Sequence, residues 1–233
     1  MATMTSHSMV RTSEKRPRNR KALKVGGGVL FCLASLLSLL WYMGVFGGNV
    51  RTVEEGRVYR SAAITGDTLE TVLKEKGIKT LLNLRGGSDK DEWHRSETAS
   101  ATKFGAKHID VSLSAVRFPP PPELDKILDT FDHAAYPILF HCRGGADRSG
   151  LAGTLYLALY KGVPLDEAQH EQLTWRYGHL SFGQAHAMDD FFTLYRKTGK
   201  GTDLREWIKT KYPALHAKLP AKQKVEGYNL ARE

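Results

Sequence analysis

Two cysteines, Cys32 and Cys142, are too few for a disulfide framework or an all-cysteine zinc site. After residue 50 there is no internal repeat and no low-complexity block. Acid is scarce at the N-terminus: residues 1–24 hold seven Lys/Arg and one acid, Glu14. The formal charge of +9 is therefore concentrated there, because the remaining residues carry 27 basic against 24 acidic side chains. A folded part so nearly balanced is not expected to bind nucleic acid. With 41% apolar and 25% charged residues in 233, collagen-like, fully disordered and multi-pass membrane chains are excluded.

Behind the basic tail, residues 25–46 form an uncharged run of 22. At 1.5 Å per residue it is long enough for a hydrocarbon core of about 30 Å, with Trp41 and Tyr42 toward the far boundary. The expectation is one transmembrane helix, with a cleaved signal peptide as the alternative. The excess of Lys/Arg before the run places residues 1–24 in the cytoplasm and the rest of the chain outside it, in the periplasm if the source is Gram-negative. Residues 47–55 read as a linker.

Beyond the linker, short β-rich runs at 57–62, 78–84, 106–113 and 136–141 alternate with amphipathic stretches at 66–76, 89–104 and 122–134. Helical patterns follow at 148–161, 164–177, 184–198 and 202–212. This order predicts an α/β domain over 56–212, a central mostly parallel sheet flanked by helices. Residues 213–233 read as a loosely packed polar tail.

The chemistry concentrates in one segment, 136–150, which runs Tyr-Pro-Ile-Leu-Phe-His-Cys-Arg-Gly-Gly-Ala-Asp-Arg-Ser-Gly. A buried strand delivers His141 and Cys142, a loop with Gly144 and Gly145 follows, and Arg148 and Ser149 open a helix. Strand, tight loop and helix N-terminus make an anion cradle from Arg143, Gly144, Gly145, Ala146, Asp147 and Arg148. The arginine fork binds two phosphate oxygens. A cysteine at the base of such a cradle is stabilised as thiolate, the form that attacks phosphorus.

The pattern His-Cys-x-x-Gly-x-x-Arg-Ser, met by His141, Cys142, Gly145, Arg148 and Ser149, resembles the phosphate-binding loop of the cysteine-dependent protein tyrosine phosphatases. Residues 56–62 and 77–86 resemble the opening strands of the bacterial dual-specificity-like branch, so the likeness spans about 56–200. It implies a tyrosine-phosphatase-like fold, a two-step reaction through phosphocysteine, and neither metal nor other cofactor. Ser149 would ease departure of the thiolate, and His141 would support the loop.

A leaving alkoxide needs a proton. By the resemblance this comes from an aspartate about thirty residues before the cysteine, and Asp110 lies 32 before Cys142. No Trp-Pro-Asp triplet accompanies it; four prolines, 119–122, suggest a stiff lid instead. Asp147 is the alternative acid. The charged run of Asp89, Asp91, Glu92, His94, Arg95 and Glu97 reads as a solvated helix face, and Asp189–Asp190 as a surface pair. Arg85 and Arg117 are candidates for the pocket rim.

The expected substrate is a phosphorylated protein or a small phosphomonoester, handled by a tyrosine or dual-specificity phosphatase. A phosphoinositide or inositol-phosphate phosphatase is the first alternative, disfavoured by a loop with only one extra cation, Arg143. A phosphate-reading module without turnover and a rhodanese-like sulfurtransferase or arsenate reductase are further alternatives.

Overall fold

The computed structural model describes residues 29–39, 41–42, 47–181 and 186–219. The basic tail, residues 25–28, 40 and 43–46 of the expected membrane span, residues 182–185 and residues 220–233 lie outside them. Residues 29–39 are helical and exposed. Among the described residues no helix is long and apolar enough to cross a membrane.

The remainder builds one sheet with helices around it. Five strands, β1 (Arg51–Glu54), β2 (Val58–Ser61), β3 (Thr80–Asn83), β4 (Lys107–Asp110) and β5 (Ile138–His141), lie in the order β1-β2-β5-β3-β4. The last four in that order are mutually parallel, and β1 is an antiparallel edge. β2, β3 and β5 are buried at every residue, as strands covered on both faces must be. The helices are α1 (Gly66–Glu75), α2 (Glu92–Lys103), α3 (Pro121–His133), α4 (Asp147–Tyr160), α5 (Leu165–Gln172), α6 (Ala187–Thr198), α7 (Leu204–Thr210) and α8 (Tyr212–Ala217).

Two hydrophobic clusters reflect the two faces of the sheet. Leu81, Leu139 and Tyr59 pack with Leu69 and Leu73 of α1 and Ala101 of α2. Leu82, Phe140 and Val58 pack with Leu124 and Phe131 of α3, Leu151 and Leu155 of α4, and Trp207 beyond. Alternation along each strand sends successive side chains to opposite layers. α4 is buried almost all round because α5 crosses closely over it. The approach needs glycine: a Cβ on Gly153 would lie 2.3 Å from Gln172 Oε1.

Parallel register brings the carboxyl ends of four strands into one row: Ser61 opposite His141, His141 opposite Asn83, and Asn83 opposite Asp110. In parallel α/β sheets this edge is where loops and helix N-termini collect, and where ligands bind.

Three sequence expectations change. The linker is part of the domain: β1 pairs with β2, and Asn49 is buried. The predicted tail starts later than 213, since Leu215 and Leu219 pack against the core. The predicted helix over 164–177 ends at Gln172 and is followed by a 3₁₀ turn, Trp175–Tyr177.

Candidate active site

Cys142 follows β5 directly and α4 begins five residues later, so the loop 142–146 is a short arc between a strand end and a helix N-terminus. The carbonyls of residues 143–146 are all held by donors outside the loop. Arg143 O accepts from Ala63 N at 3.1 Å. Gly144 O and Gly145 O accept from Asn49 Nδ2 at 3.0 and 3.3 Å. Gly145 O and Ala146 O also accept from Arg60 Nη2 at 2.6 and 3.0 Å. The N–H and C=O of a trans peptide point in opposite directions. Drawing out the carbonyls of 143–146 therefore turns the amides of 144–147 toward the other side, where a tetrahedral anion fits. Gly145 permits this at φ +66°, and a Cβ there would strike Ala62 N at 2.6 Å.

Arg60 has no carboxylate partner among its hydrogen bonds, yet it is fully buried. Its second arm donates to Gln172 O and Oε1 at 2.8 and 2.7 Å, and its guanidinium lies over Tyr177 at 4.6 Å. Burial pushes it down to about 10, which still leaves it charged at neutral pH. Carbonyl dipoles and a π face hold this cation in place of an acid.

Cys142 is 2% exposed, at the floor of the loop. Burial alone would raise its pKa, but the Arg148 charge and hydrogen bonds from the Ser149 hydroxyl and amide hold it below the ordinary thiol value. Arg148 is buried, with Nη1 donating to Leu113 O at 3.1 Å, which fixes the segment after β4 beside the loop. Arg143 and Gly144 form the exposed lip. Arg85 lies over the Trp93 ring at 4.0 Å. Burial lowers its pKa, and so do the Arg148 and Arg143 charges nearby, so it belongs to the rim. Arg117 is half-buried.

Behind His141 lies a buried polar group that the charged run had concealed. His94 and Glu97 are 6% and 2% exposed, so these two leave the solvated face on which Asp89, Glu92 and Arg95 stay. Four residues of α2 and β4 explain why. His94 and Glu97, three apart on the helix, face His108 and Asp110, two apart on the strand. Glu97 Oε1 lies 2.8 Å from His108 Nε2 and 3.1 Å from His141 Nε2. Burial disfavours its charge, but the two imidazoles hold its pKa down to about 2.

The candidate acids differ in surroundings. Asp110 Oδ1 accepts from Asn83 Nδ2 at 2.7 Å, and its Oδ2 lies 2.8 Å from His94 Nε2. Both of its oxygens are engaged by these two neighbours. Asp147 opens α4, inside the cradle, and its charge acts on Cys142. Its Oδ1 lies 2.7 Å from Nδ1 of the buried His179. His179 Nε2 in turn lies 2.8 Å from Asp189 Oδ2, and Gln169 donates to Asp189 Oδ1 at 2.9 Å. Asp189 is thus bonded to a buried histidine rather than being half of a surface pair; Asp190 pairs instead with the exposed His186. Among the described residues, His94, His108 and Asp110 bring one ligand-type atom each within 4.8 Å of one another, a spacing a divalent ion would fit. Hydrogen bonds to Asp110 and Glu97 already engage these side chains.

A model of the tyrosine phosphatase family matches residues 44–174. The chain belongs to this family. The matched stretch takes in Asn49, Arg60, Glu97 and the whole Cys142–Arg148 loop, so it is a cysteine-dependent phosphatase by membership. No curated protein matches its sequence. Among solved structures, TpbA of P. aeruginosa is 19% identical over 64% of this chain and 92% of that one, at a TM-score of 0.49. The core catalytic domain of the PP-IP phosphatase SIW14 of S. cerevisiae is 20% identical over 65% and 93%, at 0.49.

The sequence reading does not single out Asn49, Arg60 or His179, and it places Glu97 on a solvated face. Arg60 carried a usable signal, a charge inside an otherwise buried strand. His179 carried none, since its partners lie 32 residues upstream and 10 downstream.

One consequence of the buried chain is measurable. Burial lowers the pKa of His179, but its hydrogen bonds to Asp147 and Asp189 outweigh this and raise it to about 9. A group raised on folding stabilises fully below its unfolded value, about 6.5. That contribution is lost as pH rises through 9. Urea midpoints of wild type and His179→Gln should therefore differ most at pH 6 and converge by pH 10. A constant difference across that range would contradict the charged bridge.

Proposed function

We propose that this chain hydrolyses phosphomonoesters through a cysteinyl-phosphate intermediate on Cys142, with phosphotyrosyl or dual-specificity phosphoprotein substrates. The observation that carries the reading is a buried cysteine at the floor of a loop whose carbonyls from 143 to 146 are all bonded outside it, with Arg148 and Ser149 holding its thiol pKa down. In the first step the Cys142 thiolate attacks phosphorus and the P–O bond to the leaving group breaks. Arg148 and the loop amides neutralise the equatorial oxygens. The leaving oxygen takes a proton from a carboxylic acid. In the second step water attacks the phosphocysteine, the S–P bond breaks, and the thiolate departs onto the Ser149 hydroxyl. The carboxylate recovers the proton from water. His141, held by Glu97, keeps the strand end in place.

The proton is assigned to Asp147, and Asp110 is the competing reading. Asp147 stands in the loop itself, with an oxygen that His179 does not hold. Asp110 has both oxygens engaged by Asn83 and His94. The preference for phosphoprotein over inositides is supported by the loop, in which Arg143 is the one cation besides Arg148. Sulfur transfer and binding without turnover are disfavoured by the intact Cys142, Arg148 and Ser149.

We further propose that residues 25–46 anchor the chain in a membrane, with residues 47–233 on the extracytoplasmic side. The uncharged run and the seven Lys/Arg before it support this. A reporter active only outside the cytoplasm, fused after Glu233, should be active. An inactive one, with a cytoplasmic reporter active at the same junction, would invert the topology.

Cys142→Ser keeps the volume but removes the thiolate. Turnover of p-nitrophenyl phosphate should fall at least about a thousandfold while inorganic phosphate still binds within about threefold. Wild-type turnover in this variant would end the phosphatase reading. EDTA should leave the wild type active; loss restored by a divalent ion would make His94, His108 and Asp110 a metal centre.

Leaving groups separate the two acids. Nitrophenolate departs with little protonation and an alkoxide does not. Asp147→Asn should slow an alkyl phosphate about a hundredfold and p-nitrophenyl phosphate less than tenfold. The same selectivity from Asp110→Asn instead would move the acid to β4.

A further inference from the structure

Asp147, His179 and Asp189 form a linear chain that begins in the phosphate-binding loop and ends on α6. His179 has no exposed side-chain surface, and each of its ring nitrogens meets one carboxylate, at 2.7 and 2.8 Å. Gln169 of α5 closes the far end on Asp189 Oδ1. Through His179, α5 and α6 are thus linked to a single oxygen of Asp147. A satisfied core histidine would need only one partner per nitrogen from any source. Here both are acids, and one of them lies between Ala146 and Arg148.

We propose that His179, braced by Asp189, is a positioning residue for proton transfer: it pins Asp147 Oδ1 and leaves Oδ2 to carry the proton to the leaving oxygen. The inference rests on Asp147 being the acid. An aspartate side chain turns readily about its Cβ–Cγ bond, where the rotamer wells are broad. A donor on one oxygen stops that rotation and fixes the direction of the other. When Oδ2 gives up its proton, the negative charge formed on the carboxylate meets the imidazolium 2.7 Å from Oδ1. The charge is thus stabilised as it develops. Asp189 holds the ring in line and retains the second N–H, the part a third group plays behind a catalytic base. Water returns the proton to Oδ2 in the second step, so the chain ends as it began and nothing is consumed.

The arrangement also bears on Ala146 and Arg148, since Asp147 lies between them. Pinning its side chain through His179 keeps the first turn of α4 in place without a cap from the loop; the N-cap Ala146 has no side-chain bond to give.

The test is a double-mutant cycle read on two leaving groups. His179→Ala should lower kcat/KM for an alkyl phosphate tenfold or more, leave p-nitrophenyl phosphate within about threefold, and leave inorganic phosphate binding unchanged. Asp189→Asn, which keeps size and fold, should show the same selectivity at a smaller magnitude. Because His179 acts only through Asp147, the Asp147→Asn/His179→Ala double variant should be no slower than Asp147→Asn, within about threefold, on the alkyl substrate. Additive losses, or equal losses on both substrates in both single variants, would reduce His179 to a structural residue and overturn the proposal. If Asp147→Asn is selective and the His179 and Asp189 variants are not, this inference falls alone. If Asp147→Asn shows no selectivity, the acid assignment falls with it.

Discussion

A loop that turns its amides onto one point leaves its carbonyls facing the protein interior, and buried carbonyls need donors. Everything near Cys142 depends on how that demand is met. Arg60 and Asn49 meet most of it from β2 and from the chain before β1, together reaching the carbonyls of residues 144, 145 and 146. The loop is thereby set before any substrate arrives. Binding then has little ordering to do, and the dipoles that stabilise the thiolate already point at it.

The choice of a buried, unpaired arginine for this task follows from electrostatics. A carboxylate beside Arg60 would neutralise it and add negative charge beneath a site meant for phosphate. Carbonyl dipoles and the Tyr177 ring solvate the cation and leave its positive field in place. A lysine would concentrate its charge on one atom and could not span the carbonyls of Gly145, Ala146 and Gln172 in one plane. The same logic orders the acids. Glu97 and Asp189 are kept behind histidines, so their negative charge is spent on imidazoles one layer away from the loop.

Three histidines therefore tie acids to the elements around the site, each in a different setting. His141 connects the strand end to Glu97, His94 connects α2 to Asp110, and His179 connects α6 to Asp147. The first two stiffen the carboxyl edge of the sheet on the β4 side. The third reaches the loop from the opposite side, through α5 and α6. The loop is clamped between them.

What could be read directly from the sequence is what depends on neighbours along the chain. The strand–loop–helix around Cys142 declared itself because Ile138–Phe140, the glycines and Arg148 lie within a dozen residues, each a local signal. The β2 to β5 strands and most helices showed through their periodicity, as did the alternation that makes a parallel sheet. The roles of Asn49, Arg60, Glu97 and His179 arise from contacts across 32 to 128 residues, and no spacing rule reaches that far. A charged cluster on a helix looks the same in sequence whether solvent or a strand faces it; only packing α2 against β4 made His94 and Glu97 interior. The two acid candidates were likewise equal as letters. They were told apart by where their oxygens point, and that is set by register and burial in the folded sheet.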